Sequence, residues 1–141
     1  MDNHDTNITA CGFIVREGKI FIAKRAATKT TFPDQFELVG GHLDRGETLE
    51  EGLEREVMEE IGLKIKVGEV VDAFTYESED MFKVEVCYLC YPDDTTAEPV
   101  LNPADHSTAL WIGEDEIDKF EKQDRETVAL KKAFKRLKEL K

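Results

Sequence analysis

The sequence predicts an α/β fold: an α/β/α sandwich in which helices cover a mixed β-sheet. Three observations predict it: strand-like runs come first, a capped amphipathic helix lies in the middle, and a second helix ends the chain. The length of 141 residues fits one globular domain. We therefore expect a single domain over residues 1–141.

The first strands form a predicted hairpin. Asn7–Arg16 and Lys19–Arg25 are rich in apolar and β-branched residues and flank the turn residues Glu17 and Gly18. The polar segment Ala26–Asp34 contains a proline and is predicted to be a loop. Gln35–Val39 is then a short strand that ends in two glycines, 40 and 41.

The strongest local signal is a helix over Thr48–Ile61. Thr48 and Glu51 have the spacing of a capping box, in which each side chain bonds the other residue's backbone N–H. Gly62 is a natural stop for the helix. An apolar stripe recurs every fourth residue and should face the core: Leu49, Leu53, Val57 and Ile61.

The second half of the chain alternates strands and loops before the final helix. Two long strands are predicted at Lys64–Tyr76 and Met81–Tyr91, with a turn at Glu77–Asp80 between them. A long loop follows at Asp93–Thr108. The remaining elements are a short strand at Ala109–Ile112, a helical turn at Glu114–Phe120 and a helix at Glu126–Leu140, whose predicted apolar contacts are Val128, Leu130, Phe134 and Leu137.

Charge and hydropathy exclude several classes of protein. The net charge of −12 argues against a nucleic-acid partner, because nucleic-acid-binding proteins usually carry a basic footprint. The basic stretch Arg125–Lys141 is better explained as a solvated helix face or a partner for the acidic body. No apolar run approaches the roughly 18 residues of a membrane span, and Met1–Thr9 lacks the apolar core of a signal peptide. A soluble, cytoplasmic protein without a membrane partner is expected.

The cysteines do not predict a disulfide framework, since there are only three. Cys87 and Cys90 form a C-x-x-C motif, which could indicate a zinc or redox site. They lie in a predicted strand, however, where side chains three residues apart point to opposite faces. We therefore interpret them as packed thiols.

The central helix carries an acidic face that needs an explanation. Glu56, Glu59 and Glu60 fall within an arc of about 100° of the helix, and like charges four residues apart cost a few tenths of a kcal/mol. Water and the neighbouring Arg55 could offset this cost. A divalent cation such as Mg²⁺ could also offset it, since clustered carboxylates suit hard ions.

The residues around this helix have a distinctive spacing. They read Gly41-x5-Glu47-x7-Arg55-Glu56-Val57-x-Glu59-Glu60-x-Gly62-Leu63, which resembles the Nudix box at every fixed position. The resemblance to MutT-like Nudix hydrolases extends over about Ile8–Phe120. It includes Ile20–Ala27, the lead-in Phe36–Gly41 (with Val39 where proline is common) and Asp105–Ile112.

The resemblance implies hydrolysis of a diphosphate linkage with Mg²⁺, or Mn²⁺, as the cofactor. The expected metal ligands are the Gly40 carbonyl, Glu56, Glu59, Glu60 and Asp105. Arg55 is expected to hold Glu56 in place by a charge-assisted hydrogen bond, and Glu56, Glu59 or Asp105 would accept the proton of the attacking water. Glu98 and Glu85 are alternatives to Asp105 for the carboxylate that comes from outside the box.

The substrate implied by MutT-like members is a nucleoside triphosphate, oxidised or not, cleaved to a monophosphate and pyrophosphate. ADP-ribose, nucleotide sugars and dinucleoside polyphosphates remain alternatives. Lys24 and Arg25 are candidates for contact with the phosphates, and Gln123 or Asp124 for contact with the base. Family members are often dimers, so a homodimer is a further expectation.

Two other functions are less consistent with the sequence. Isopentenyl diphosphate isomerases of the same superfamily use a cysteine near the lead-in, and residues Glu37–Gly41 contain none. Non-catalytic Nudix domains, which serve as binding modules, usually lose glutamates of the box. This chain keeps all of them, which favours an enzyme.

Overall fold

The computed structural model describes residues 5–78, 80–120 and 124–141. The elements in chain order are β1 (Thr6–Arg16), β2 (Lys19–Arg25), β3 (Phe36–Glu37), β4 (Val39–His42), α1 (Leu49–Ile61), β5 (Ile65–Ser78), β6 (Met81–Pro92), β7 (His106–Ile112), a 3₁₀ helix (Glu114–Phe120) and α2 (Arg125–Glu139). Within the described ranges, no helix is both long and apolar enough to cross a bilayer.

The sheet is mixed, as predicted, and β1 lies at its centre. β1 runs parallel to β6 and antiparallel to β4 and to β2. β5 pairs antiparallel with β6, while β3 and β7 both pair with β2. The parallel pairing of β1 with β6 sets Cys11 directly opposite Cys87.

The two helices cover opposite faces of this sheet, which confirms the predicted α/β/α sandwich. On one face, Leu53, Val57 and Ile61 of α1 are fully buried and share a core with Ile14. On the other face, α2 packs onto a core built around Phe13. Its buried apolar residues are Ala129, Leu130, Ala133 and Phe134. Burying a side chain such as Leu53 stabilises the fold by roughly 1.5–3 kcal/mol.

Both ends of α1 form as the sequence predicts. The Glu51 amide donates to Thr48 Oγ1 at 3.1 Å, and the Thr48 amide donates to Glu51 Oε1 at 2.9 Å. Gly62 ends the helix in a left-handed conformation with φ of 66°, which glycine adopts at little cost. The start and rotation of α1 are therefore fixed by its own sequence.

Some boundaries and contacts differ from the prediction. β7 begins at His106 rather than Ala109, because His106 and Thr108 pair with β2 although this edge is mostly exposed. The single strand predicted at Gln35–Val39 is two short strands, since the chain changes partner from β2 to β1 at Leu38. Val128 is 40% exposed, so its predicted apolar contact is wrong: it lies on a different side of α2 from the buried Leu130.

The three cysteines are all buried and free. Cys87 belongs to the core under α2, and Cys90 belongs to the core under α1. The alternation of strand side chains thus separates the two residues of the C-x-x-C motif, as predicted.

Candidate functional site

Two neighbouring cavities open where β4 meets the acidic face of α1. The larger, which we call the large cavity, has a volume of about 520 Å³ and includes Cys11, Phe74 and Glu85 in its lining. The smaller, the acidic cavity, has a volume of about 200 Å³. Residues that line the acidic cavity are Lys29, Glu37, Gly40, Glu60, Asp105 and His106. Gly40, Arg25 and Glu37 border both cavities, so the two can be filled by parts of one ligand.

The carboxylates on the acidic face of helix α1 differ in how far they are exposed to solvent. Its buried stripe fixes the rotation of the helix, so Glu60 is turned inward with 12% of its side chain exposed. The Glu56 side chain is 19% exposed and that of Glu59 is 57% exposed. The three glutamates therefore extend from the acidic cavity out towards solvent, which suits one residue for water contact and two for buried ligation.

Arg55 holds this set together. Its guanidinium donates to both oxygens of Glu47, at 2.7 and 3.0 Å, and to Glu56 at 3.0 Å and Glu59 at 3.2 Å. It also donates to the His42 carbonyl at 3.2 Å. The predicted Arg55–Glu56 contact is present in the structure, and Glu47 proves to be the main partner of Arg55, which lowers the pKa of Glu47.

The glycine pair lets the backbone approach the site. A Cβ atom at Gly40 would lie 2.1 Å from the Ala10 carbonyl oxygen, and one at Gly41 would lie 2.5 Å from Glu56 Cδ. Both distances are far below van der Waals contact, so only glycine fits here without displacement. Gly41 thus leaves room for the Glu56 carboxylate.

Glu60 lies in an environment that opposes its charge. Burial, a hydrogen bond with Glu56 and the nearby charges of Glu37, Glu56 and Asp105 raise its pKa to about 9. Carboxylates crowded in this way ionise readily only when a cation compensates them. Glu56, Glu60, Asp105 and the backbone carbonyl of Gly40 bring oxygen donors to this cavity, and oxygen donors suit a hard divalent cation such as Mg²⁺.

Asp105 is the outlying carboxylate that the structure brings to this cluster. It lines the acidic cavity with Glu60 and pairs with Lys29 at 3.1 Å. The two alternatives lie elsewhere. Glu98 is largely exposed beside Arg16, and Glu85 is buried beside Cys11 and Cys87 and lines the large cavity.

Sequence reasoning missed two members of the cluster. His106 is 1% exposed and its Nε2 lies 2.8 Å from Glu37 Oε2 and 3.9 Å from Glu60 Oε1. Its other ring nitrogen, Nδ1, is buried without a partner among the described residues. The only available signal was position: Glu37 precedes the glycine pair, and His106 follows Asp105.

Of the residues predicted to contact substrate, some line the cavities in the structure and Lys24 does not. Arg25 borders both cavities and pairs with Glu37 at 3.2 Å. Lys24 instead extends over the Phe36 ring, 5.9 Å from its centroid, outside the lining of either cavity. Asp124 caps α2 and lines the large cavity. Gln123, the alternative to Asp124, lies outside the described residues.

Known proteins resemble this chain in both sequence and structure. The model of the NUDIX domain matches residues 5–131, and the chain therefore belongs to the Nudix family. Nucleoside triphosphatase NudI from Enterobacter sp. (strain 638) is 32% identical over 88 residues, which cover 62% of this chain and 57% of that protein. Nucleoside triphosphatase NudI from Salmonella agona is 25% identical over 131 residues, covering 86% of this chain and 93% of that one.

The fold is also shared with solved structures. The MutT protein from Methanosarcina mazei Go1 superimposes with a TM-score of 0.79 at 20% identity, over 98% of this chain and 99% of that chain. At this identity the likeness concerns the fold alone. The matched stretch spans only 57% of the length of the Enterobacter relative.

Proposed function

We propose that this protein is a Mg²⁺-dependent Nudix pyrophosphohydrolase, with residues 5–131 as one catalytic domain. In this proposal it cleaves a nucleoside triphosphate to a monophosphate and pyrophosphate. The observation that carries the proposal is the partly buried cluster around Glu60, whose carboxylates and the Gly40 carbonyl would supply oxygen ligands for a cation next to a cavity of nucleoside size. Four clustered carboxylates would repel a polyphosphate unless cations neutralised both.

The residues that would hold Mg²⁺, with Mn²⁺ as an alternative, are the Gly40 carbonyl, Glu56, Glu59, Glu60 and Asp105. When bound, the ion lowers the pKa of water and polarises phosphoryl oxygens. Other residues of the protein would position these ligands. Arg55 positions Glu56 and Glu59 through the contacts described above, and Gly41 keeps the space above Glu56 open.

Proton transfer and phosphate binding can be assigned to particular side chains. Glu59 is the most exposed glutamate of the set. We therefore propose that it accepts the proton of the attacking water, with Glu56 and Asp105 as alternatives. Arg25 and Lys29 line the acidic cavity and supply positive charge beside the carboxylates. They are the candidates for contact with the phosphates, whereas Lys24 is less well placed.

The large cavity supports a nucleoside as the group attached to the diphosphate. Its volume falls within the range of about 300–1,000 Å³ that ligand sites occupy. Phe32, Phe74 and Tyr76 in its lining provide aromatic faces on which a base can stack. The relatives that are called nucleoside triphosphatases favour a triphosphate over ADP-ribose, nucleotide sugars and dinucleoside polyphosphates.

A nucleotide panel tests this proposal. Release of pyrophosphate or phosphate is measured with Mg²⁺, and again with excess chelator, for triphosphates, ADP-ribose, nucleotide sugars and dinucleoside polyphosphates. We expect Mg²⁺-dependent pyrophosphate release from at least one triphosphate and none with chelator. Inactivity across the whole panel would contradict the proposal and favour a binding module.

A further inference from the structure

A second cluster of possible metal ligands lies beside the large cavity, outside the Nudix box. Cys11 on β1 and Glu85 and Cys87 on β6 point to the same face of the sheet, and all three are 3% exposed or less. Their ligand atoms lie within 4.8 Å of one another. We call these three residues the thiol cluster. Its two sulfurs belong to residues that are 76 positions apart in the chain.

The distances within the thiol cluster are those of three corners of a tetrahedral site. The two sulfurs are 3.9 Å apart, and Glu85 Oε2 lies 3.0 Å from Cys11 Sγ and 3.7 Å from Cys87 Sγ. With Zn–S of about 2.3 Å and Zn–O of about 2.0–2.2 Å, a tetrahedral zinc ion requires S···S near 3.8 Å and S···O near 3.5 Å. Shifts of about half an ångström would therefore admit the ion.

The surroundings of Glu85 resemble the outer shell of a metal site. Tyr76 donates its hydroxyl hydrogen to Glu85 Oε1 at 3.2 Å, which leaves Oε2 turned towards the sulfurs. Such a bond fixes the orientation of a carboxylate ligand. Among the described residues, no lysine or arginine pairs with Glu85, so its partners are the neutral donors Tyr76, Cys11 and Cys87.

The fourth corner of the site would face the large cavity. Cys11 and Glu85 line that cavity, whereas Cys87 lies behind them. Three protein ligands and one open position accessible to solvent are the arrangement found in zinc sites that exchange a ligand. The cavity thus offers an entry path for the ion and space for its fourth ligand.

We propose that Cys11, Glu85 and Cys87 form a binding site for a thiophilic divalent cation, of which Zn²⁺ is the typical example. Two thiolates and a carboxylate select this class of ion over Mg²⁺, which prefers oxygen ligands. The thiols are protonated without the ion: a hydrogen bond with Cys87 and burial raise the pKa of Cys11. For Cys87, the Cys11 contact lowers the pKa, but burial and Glu85 outweigh it and the pKa is raised. Binding therefore displaces two protons.

Occupation of the thiol cluster has a consequence for catalysis that rests on the proposed function. The ion and its fourth ligand would fill the deep end of the large cavity, where the nucleoside is proposed to lie. Zn²⁺ would then inhibit Mg²⁺-dependent turnover by competing with the nucleotide. Metal binding itself does not depend on that function.

Cobalt(II) absorbance tests the binding step directly. The reduced wild-type protein is titrated with Co²⁺, and sulfur-to-cobalt charge-transfer absorption is recorded, followed by back-titration with Zn²⁺. The variants are Cys11→Ser, Cys87→Ser and Glu85→Gln. Cys90→Ser is the matched control, because Cys90 is equally buried on the opposite face of the sheet. Thermal melts establish that each variant is folded.

We expect one equivalent of Co²⁺ to give the thiolate band in wild type and in Cys90→Ser, and Zn²⁺ to bleach it. Either serine variant at positions 11 or 87 should lose the band, and Glu85→Gln should weaken Zn²⁺ affinity at least about tenfold. A folded wild type without the band overturns the proposal, as does a band that persists in both serine variants or disappears in Cys90→Ser.

The inhibition is tested separately on active protein. Zn²⁺ is added to Mg²⁺-supported reactions, and each rate is compared with the same variant's rate without Zn²⁺. Inhibition that is at least about tenfold weaker in Cys87→Ser than in Cys90→Ser supports competition at the thiol cluster. Equal inhibition of both would place the effect at the acidic cavity and overturn the competitive part of the proposal. The cobalt titration tests metal binding and the nucleotide panel tests the proposed function, so the two failures are distinguishable.

Discussion

The acidic cavity and the thiol cluster are two halves of one cleft with opposite chemistry. Around Glu60 the proposed ligand atoms are oxygens, and arginine or lysine side chains pair with them: Arg55 with Glu56, and Lys29 with Asp105. Around Glu85 the neighbours are sulfurs and a phenol. The difference teaches that charge alone would not define a cation site in this protein. If both proposals hold, the kind of donor atom directs hard ions to one half and thiophilic ions to the other.

Among changes outside the proposed metal ligands, the largest expected effect comes from Arg55, whose contacts all lie in the acidic half. Arg55→Lys removes the bidentate contact with Glu47, and a lysine side chain cannot also hold Glu56 and Glu59. We expect the steady-state rate of pyrophosphate release to fall about 10²-fold, since small displacements of positioned groups have such effects. Cobalt absorbance at the thiol cluster should remain unchanged.

The exposed Arg45→Lys is the control for this change. The rate of pyrophosphate release by Arg45→Lys should stay within about twofold of wild type, because the substitution keeps the positive charge at an exposed position. If Arg55→Lys lost no more activity than Arg45→Lys, the positioning role of Arg55 would be wrong. If Arg55→Lys also lost the thiolate band, the two halves would not be independent.

A smaller effect is expected for Gly41→Ala. The added methyl group would overlap Glu56 Cδ, 2.5 Å away, but the Glu56 side chain can rotate aside. The rate should therefore fall about tenfold while the melting temperature changes little. Gly113→Ala, whose methyl group would meet side-chain oxygens of Asp115 at 3.0 Å and Glu116 at 3.9 Å, serves as the control in rate assays and thermal melts. Equal rates for the two variants would contradict the close approach of Gly41 to Glu56.

The pH dependence of stability should report on Glu60. Because burial and neighbouring carboxylates raise its pKa from 4.5 to about 9, the folded state binds a proton that the unfolded state releases. Stability of the metal-free protein is then highest below pH 4.5 as far as Glu60 is concerned, and this contribution is lost as the pH rises to 9. The melting temperature should therefore decline between pH 4.5 and 9. The decline should be smaller in Glu60→Gln and smaller in the presence of Mg²⁺. An unaltered decline in Glu60→Gln would contradict the assignment.

The smallest effect concerns Asp124, which caps α2 at the edge of the large cavity. Asp124→Ala should cost about 1 kcal/mol in the free energy of unfolding, measured by denaturant titration, whereas Asp124→Asn keeps the cap and should cost little. If Asp124 also contacts the base, Asp124→Asn should raise the KM for the nucleotide. An unchanged KM would leave Asp124 a capping residue only.

The sequence could predict the acidic half because its determinants are local. Arg55, Glu56, Glu59 and Glu60 lie within two turns of one helix, and the capping box and Gly62 fix where that helix starts and ends. Helical geometry then places the carboxylates on one face without further information. The fold class followed from the same kind of local pattern in the strands.

The thiol cluster and the Glu37–His106 pair could not be predicted in this way. They depend on strand pairing: the parallel register of β1 and β6 brings Cys11 to Cys87, and β2 lies between β3 and β7, which carry Glu37 and His106. The C-x-x-C spacing drew attention to Cys90, which lies on the other face. A short-range pattern cannot show which distant strand supplies the partner.

The Mg²⁺-dependent rates of Glu56→Gln and Glu60→Gln decide whether the acidic cavity is the catalytic centre. Glu54→Gln is the matched control, since Glu54 lies on the same helix and is exposed. With the best triphosphate of the panel, we expect both site variants to lose roughly two to three orders of magnitude in kcat while remaining folded, and Glu54→Gln to keep its rate. Near-normal turnover in folded Glu56→Gln and Glu60→Gln proteins would contradict the role proposed for this site.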